Sequence, residues 1–184
     1  YRLLLKEMSS GVLSERLDHT MRFLKYISKR DKLLIRGNNS RSQYGWGLSE
    51  RIADHYKDCF FDDPDKPFYP VLKECKMFLS NAAHTTYLEA LAVNKPTVVF
   101  LSKNICRFNS EALPYFNSLQ KVGILHYSPE SAAKHINAVY DNIDSWWLNE
   151  EVQRARESFV LNHALYDSNW ARKWIKEFNR VINE

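Results

Sequence analysis

The sequence predicts an α/β domain built on a parallel sheet, and three observations support that expectation. Short apolar runs alternate with helical patterns, the runs show little period-two alternation, and the last third of the chain holds helical patterns alone. The runs fall at residues 3–5, 33–35, 59–61, 77–79, 97–101 and 124–126. They are too short for helices, and strands buried on both faces read this way. Strand, helix, strand, helix in this order implies crossovers of one hand. A parallel sheet of about five or six strands with helices on both faces follows, a Rossmann-like arrangement.

Between the first two runs, Leu13, Leu17, Met21, Leu24 and Ile27 recur at a spacing of three to four and share one helical face. Further helices are expected over 49–56, 68–74 and 86–93. Ser128-Pro129-Glu130 reads as a helix start: a capping hydroxyl, a proline at the first helical position, and an acid near the positive end. Ala132, Ile136, Val139 and Tyr140 then line one face. A second helix from about Asn149 presents Val152, Ala155 and Phe159. A third, after Ser168, is expected to bury Trp170, Trp174, Phe178 and Val181, with Trp146 and Trp147 also in the core. Roughly the last 55 residues thus form a helical cap on the sheet. Neither an internal repeat nor a long linker divides the chain, so residues 1–184 are expected to be one domain.

With 184 residues, 45% of them hydrophobic and 26% charged, the chain can build a sizeable core. Five glycines and six prolines exclude a collagen-like or low-complexity chain, and no apolar run approaches the length of a membrane span. A net charge of +4 from 26 basic and 22 acidic residues, well interspersed, is too mild for nucleic-acid binding but suits anionic phosphates. Cys59, Cys75 and Cys106 form neither a disulfide framework nor a zinc site, which favours a reducing compartment. The chain opens at Tyr1 directly into a strand-like run and reads as a piece of something longer.

The chemistry concentrates around Ser80-Asn81-Ala82-Ala83-His84-Thr85-Thr86-Tyr87-Leu88-Glu89, followed by Lys95-Pro96-Thr97. A strand leads through a small polar loop into a helix opened by two threonines. Helix N-termini at strand carboxyl ends bind anions through unpaired amides and a partial positive charge. Thr85 and Thr86 add hydroxyl donors, and Glu89 is placed to accept hydrogen bonds from a ribose diol. The alternative is a plain capping box, with a threonine as N-cap and Glu89 as its partner.

Glu-Ala-Leu-Ala, a short turn, Lys-Pro and a β-branched run together resemble the donor-nucleotide helix of GT-B glycosyltransferases. More closely, the chain resembles the C-terminal half of a bacterial transferase family associated with O-antigen and surface-polysaccharide genes. Leu33-Leu34-Ile35-Arg36 with Tyr44-Gly45-Trp46, Phe61-Asp62-Asp63, Pro67-Phe68-Tyr69 and Thr85-Thr86-Tyr87-Leu88-Glu89 with Lys95-Pro96-Thr97 support the resemblance. Pro114-Tyr115-Phe116, Gly123-Ile124-Leu125-His126, Ser128-Pro129-Glu130 and Trp146-Trp147 complete it over almost the whole chain. Two stretches depart from the family pattern: residues 37–43, and Ala82-Ala83-His84, where relatives tend to have Tyr-Asn-Ala.

The resemblance implies a GT-B C-terminal domain that binds a nucleotide-activated sugar as substrate, with no tightly bound cofactor. The acceptor's general base is then expected on an N-terminal domain outside this chain. The partners implied are a glycan or lipid-linked glycan acceptor and that N-terminal domain, not nucleic acid. The expected location is the cytoplasm, with peripheral association at the inner face of the membrane as an option. The competing readings are a non-catalytic Rossmann-like scaffold and a nucleotide-sugar epimerase.

Arg36 ends a strand, where it can clamp a donor diphosphate and stabilise it as a leaving group, or form an ion pair with Asp62 or Asp63. Tyr44 and Trp46 can stack a base or sugar, or pin their loop to the sheet. His84 can donate to a leaving phosphate or remain a solvated loop residue. Asp62-Asp63 resembles a metal-binding pair, but loop acids capping the helix at Phe68 are preferred, and no metal is expected. The other histidines share no ligand spacing with one another or with the cysteines.

Overall fold

The computed structural model describes residues 10–36, 47–63, 65–165 and 167–183. The run at 3–5, and Tyr44 and Trp46, lie outside the described residues. Helix α1 (Ser10–Tyr26) leads through a single 3-10 turn (Arg30–Lys32) into strand β1 (Leu34–Ile35). Then follow α2 (Leu48–His55), β2 (Phe60–Phe61), α3 (Phe68–Glu74), β3 (Phe78–Ser80), α4 (Thr85–Ala92) and β4 (Thr97–Phe100). Helix α5 (Leu113–Lys121) precedes β5 (Leu125–His126). The cap consists of α6 (Pro129–Val139), a second 3-10 turn (Tyr140–Asn142), α7 (Ile143–Trp147), α8 (Glu150–His163) and α9 (Trp170–Ile182).

Every described strand pair is parallel, but the strands form two sheets rather than one. β1 pairs with β2, while β3, β4 and β5 lie side by side in that order. The register sets Leu79 opposite Val98 and Val99 opposite Leu125. Burial on both faces holds for β4 and β5 but not for the first pair. Leu34 is 54% exposed and Phe60 61%, so among the described residues one face of the two-residue strands β1 and β2 is uncovered.

β4 is the centre of the molecule because its side chains alternate between two cores. Val98 and Phe100 pack with Phe23 and Leu24 of α1, with Ile27 just after it, and with Ala132, Ala133 and Ile136 of α6. Val99 packs on the opposite face with Tyr87 and Leu91 of α4, Phe116 and Leu119 of α5, and Phe159 of α8. Helices therefore cover both faces of this sheet. Phe23 stacks on Phe100 with ring centroids 5.1 Å apart. Ser128 caps α6 by accepting from the Ser131 amide at 3.1 Å, and Arg22 of α1 donates to Glu130 at 2.6 Å.

The tryptophans divide. Trp147 is 2% exposed, and its indole donates to the Asn94 side-chain carbonyl at 3.0 Å. That bond pins the turn between α4 and β4, where Asn94 holds a left-handed φ of 56°. Trp146 is half-buried and donates to the Val122 carbonyl at 2.9 Å. Trp170, Trp174, Phe178 and Val181, expected in the core, are instead exposed, and no residue of α9 is buried. Periodicity identifies an apolar stripe but not what covers it.

Candidate functional site

The parallel three-stranded sheet brings the loops after β3 and β4 to one edge, its carboxyl end, the usual ligand edge of such folds. The middle of α1 lies against these loops. Asn81 donates to the Thr20 hydroxyl at 2.9 Å, and Thr20 donates to the Arg16 carbonyl at 2.8 Å. Ser102, after β4, donates to the Glu15 carboxylate and receives the Asn104 amide at 3.1 Å. His19 Nε2 lies 4.0 Å from the same carboxylate. Arg16, His19, Asn81, Ala82, Ser102 and Cys106 line the small crevice that results.

Three residues beyond Ala82, α4 begins. Its N-cap is His84, extended and exposed, and the His84 side chain makes no capping bond. Thr85 and Thr86 are therefore the first two helical residues, and the capping-box alternative is not realised. Glu89, the fifth helical residue, sits in the second turn. The Tyr69 hydroxyl of α3 faces its carboxylate, which raises the phenol's pKa. The amides at the start of α4 carry the helix's partial positive charge with no side-chain carboxylate as cap.

Arg36 stands at the carboxyl end of β1. It donates to Asp62 at 2.7 Å and also to the Lys66 carbonyl, so the ion-pair alternative is realised. The Asp62 side chain is only 4% exposed, which makes Arg36 its necessary counter-charge. Asp63 does not cap α3. Its carboxylate accepts the Asp65 amide at 2.9 Å in a local turn, and the N-cap of α3 is Pro67. Asp62 and Lys66 meet Arg36 and Tyr69 meets Glu89, whereas the threonines follow the β3 loop whose Asn81 and Ala82 line the α1 crevice and are not themselves part of its lining. Among the described residues, no group of three or more His, Cys, Asp or Glu is arranged to hold a metal ion.

The polar face of α1 had no signal in the sequence. Glu15, Arg16, His19 and Thr20 fall between the apolar positions of an amphipathic helix and read as solvated. Only the packing of α1 across the β3 and β4 loops turns them into a lining. Two residues of the family pattern prove structural: Lys95 donates to the Cys75 carbonyl at 2.6 Å, at the end of α3, and Trp147 fixes the Asn94 turn.

Fold and crevice together define an α/β protein with a small polar crevice at the carboxyl ends of parallel strands. The chain belongs to the LIC12162 family of transferases, whose family model matches residues 1–178. No curated protein and no solved structure gives a significant match. No helix of the described residues is long and apolar enough to cross a membrane.

Proposed function

We propose that this chain is the donor-binding half of a GT-B-like glycosyltransferase that takes a sugar from a nucleotide-activated donor for surface-polysaccharide (O-antigen) assembly. One observation supports this beyond family membership. The α4 N-terminus, whose N-cap His84 makes no side-chain capping bond, follows β3 at the sheet's carboxyl edge, three residues after Ala82 of a crevice that also holds Arg16 and His19. In this reading the donor diphosphate lies against the amides and hydroxyls of Thr85 and Thr86, with Arg16 supplying opposite charge. Glu89 exchanges the Tyr69 hydroxyl for those of the ribose. Arg36, held by Asp62, orients the loop before α3 rather than closing on phosphate.

Catalysis is then mainly electrostatic: the positive helix end and Arg16 stabilise the diphosphate as its bond to the sugar breaks. The base that activates the acceptor belongs to an N-terminal domain. Calorimetric titration with nucleoside diphosphates and nucleotide sugars tests the reading. At least one diphosphate is expected to bind, with Arg16→Ala weakening it about tenfold. Glu89→Ala is expected to weaken nucleoside binding by a similar factor, about tenfold. Absence of binding by every nucleotide would leave a scaffold domain as the better description. Product analysis on the full-length protein separates a transferase from an epimerase.

A further inference from the structure

Helix α9 differs from the other helices of the cap in having no buried residue, although its sequence is strongly amphipathic. Trp170, Trp174, Ile175, Phe178, Val181 and Ile182 are between 54% and 78% exposed. At 3.6 residues per turn they fall within one arc of about 140°. The opposite face holds Arg172, Lys173, Lys176 and Arg180; Glu177 pairs with Arg180 at 2.7 Å, and Asp167, just before the helix, pairs with Lys173, which leaves the face basic on balance. The helix thus joins an aromatic and aliphatic face to a basic one.

We propose that α9 is an interfacial helix that docks this protein onto an anionic lipid bilayer. It lies in the plane of the surface, with its apolar face among the acyl chains and its basic face at the headgroups. Three features select this occupant. Tryptophan ring systems favour the boundary between headgroups and hydrocarbon, and two of them open the apolar face. The basic face meets an anionic surface with opposite charge, which a second copy of this basic helix does not supply. The helix is connected to the cap through the short segment at residues 164–169 and can lie on a surface without disturbing either core. The proposal does not depend on the nucleotide-sugar reading.

Flotation of the 184-residue chain with vesicles tests it, using phosphatidylcholine alone or equal parts phosphatidylcholine and phosphatidylglycerol. Binding to the anionic vesicles is expected, with a blue shift of tryptophan emission and release by high salt. Arg172→Glu with Lys176→Glu should lower partitioning about tenfold or more. Trp174→Glu with Phe178→Glu should abolish it. These side chains are exposed, so circular dichroism and melting temperature should stay those of the parent chain. Failure to bind the anionic vesicles overturns the proposal. So does equal binding to both vesicle types, or binding that survives Trp174→Glu with Phe178→Glu. A dimer that this pair dissolves, in a chain that ignores vesicles, overturns it in favour of self-association.

Discussion

His135 packs edge-on against Trp146, with ring centroids 4.8 Å apart, and lies 5.2 Å from the His126 ring. Its Nε2 has no hydrogen-bond partner among the described residues. Burial, assisted by His126, lowers its pKa from 6.5 to about 4, and burial lowers that of His126 as well. The folded protein therefore holds neutral rings, while the unfolded chain takes up protons below about pH 6.5. Stability is complete above that pH and is lost as pH falls towards 4. Since His135 is only half-buried, solvent screening reduces the loss to roughly 1–2 kcal/mol. Urea unfolding at pH 7 and pH 4.5 should show this loss, and His135→Gln should flatten the difference. At Arg36 the expectation concerns stability first. Arg36→Ala takes the ion-pair partner from an Asp62 side chain that is 4% exposed, at a cost of about 2–3 kcal/mol. Asp62→Asn in the same background should recover part of it. An Arg36→Ala variant that keeps its stability but loses diphosphate affinity would reinstate the clamp.

Among the elements, Ser128-Pro129-Glu130 was the most legible start, because a hydroxyl, a proline and an acid each act through local backbone geometry. The structure shows all three at the head of α6, with Glu130 also receiving Arg22. Ser128→Ala should lower stability by about 1 kcal/mol in thermal unfolding, through the lost bond to the Ser131 amide. Helix α3 was legible to its residue bounds and α4 to within a residue. Helix α5 was read only as a Pro-Tyr-Phe motif, because its apolar positions are sparse and its cap residue, Ala112, makes no side-chain bond. The site was legible in part for a related reason. A strand leading into a threonine-opened helix is a local pattern, so the α4 N-terminus could be read from sequence. The Glu15–Ser102 bond joins residues 87 positions apart, and no local pattern encodes it. Arg156 is another such case. It is 8% exposed and donates to the Leu91 carbonyl at 3.1 Å, satisfying the end of α4 from within α8.

For the whole molecule, the parallel pairing and the helices on both faces of the three-stranded sheet follow from the sequence reading, while the single continuous sheet does not. Short apolar runs specify strands but not which neighbour each will pair with. The stripe on α9 shows the same limit, since a hydrophobic face is written locally and its cover is not. One feature of the centre has a dynamic consequence. Thr97, Val98, Val99 and Phe100 are at most 2% exposed, and their side chains reach both cores. The Val99 amide bonds the Ile124 carbonyl at 2.7 Å, and the following strand residue's neighbour, Leu101, bonds His126 at 2.9 Å. Releasing these protons to solvent means opening both helical layers at once, so no partial opening of one layer suffices. Amide hydrogen exchange read by NMR should find Val98, Val99 and Phe100 the slowest in the chain, exchanging at the rate of global unfolding. Leu34 and Phe60, on the exposed pair of strands, should exchange through much smaller openings, so the protein unzips from its first sheet and holds last at β4.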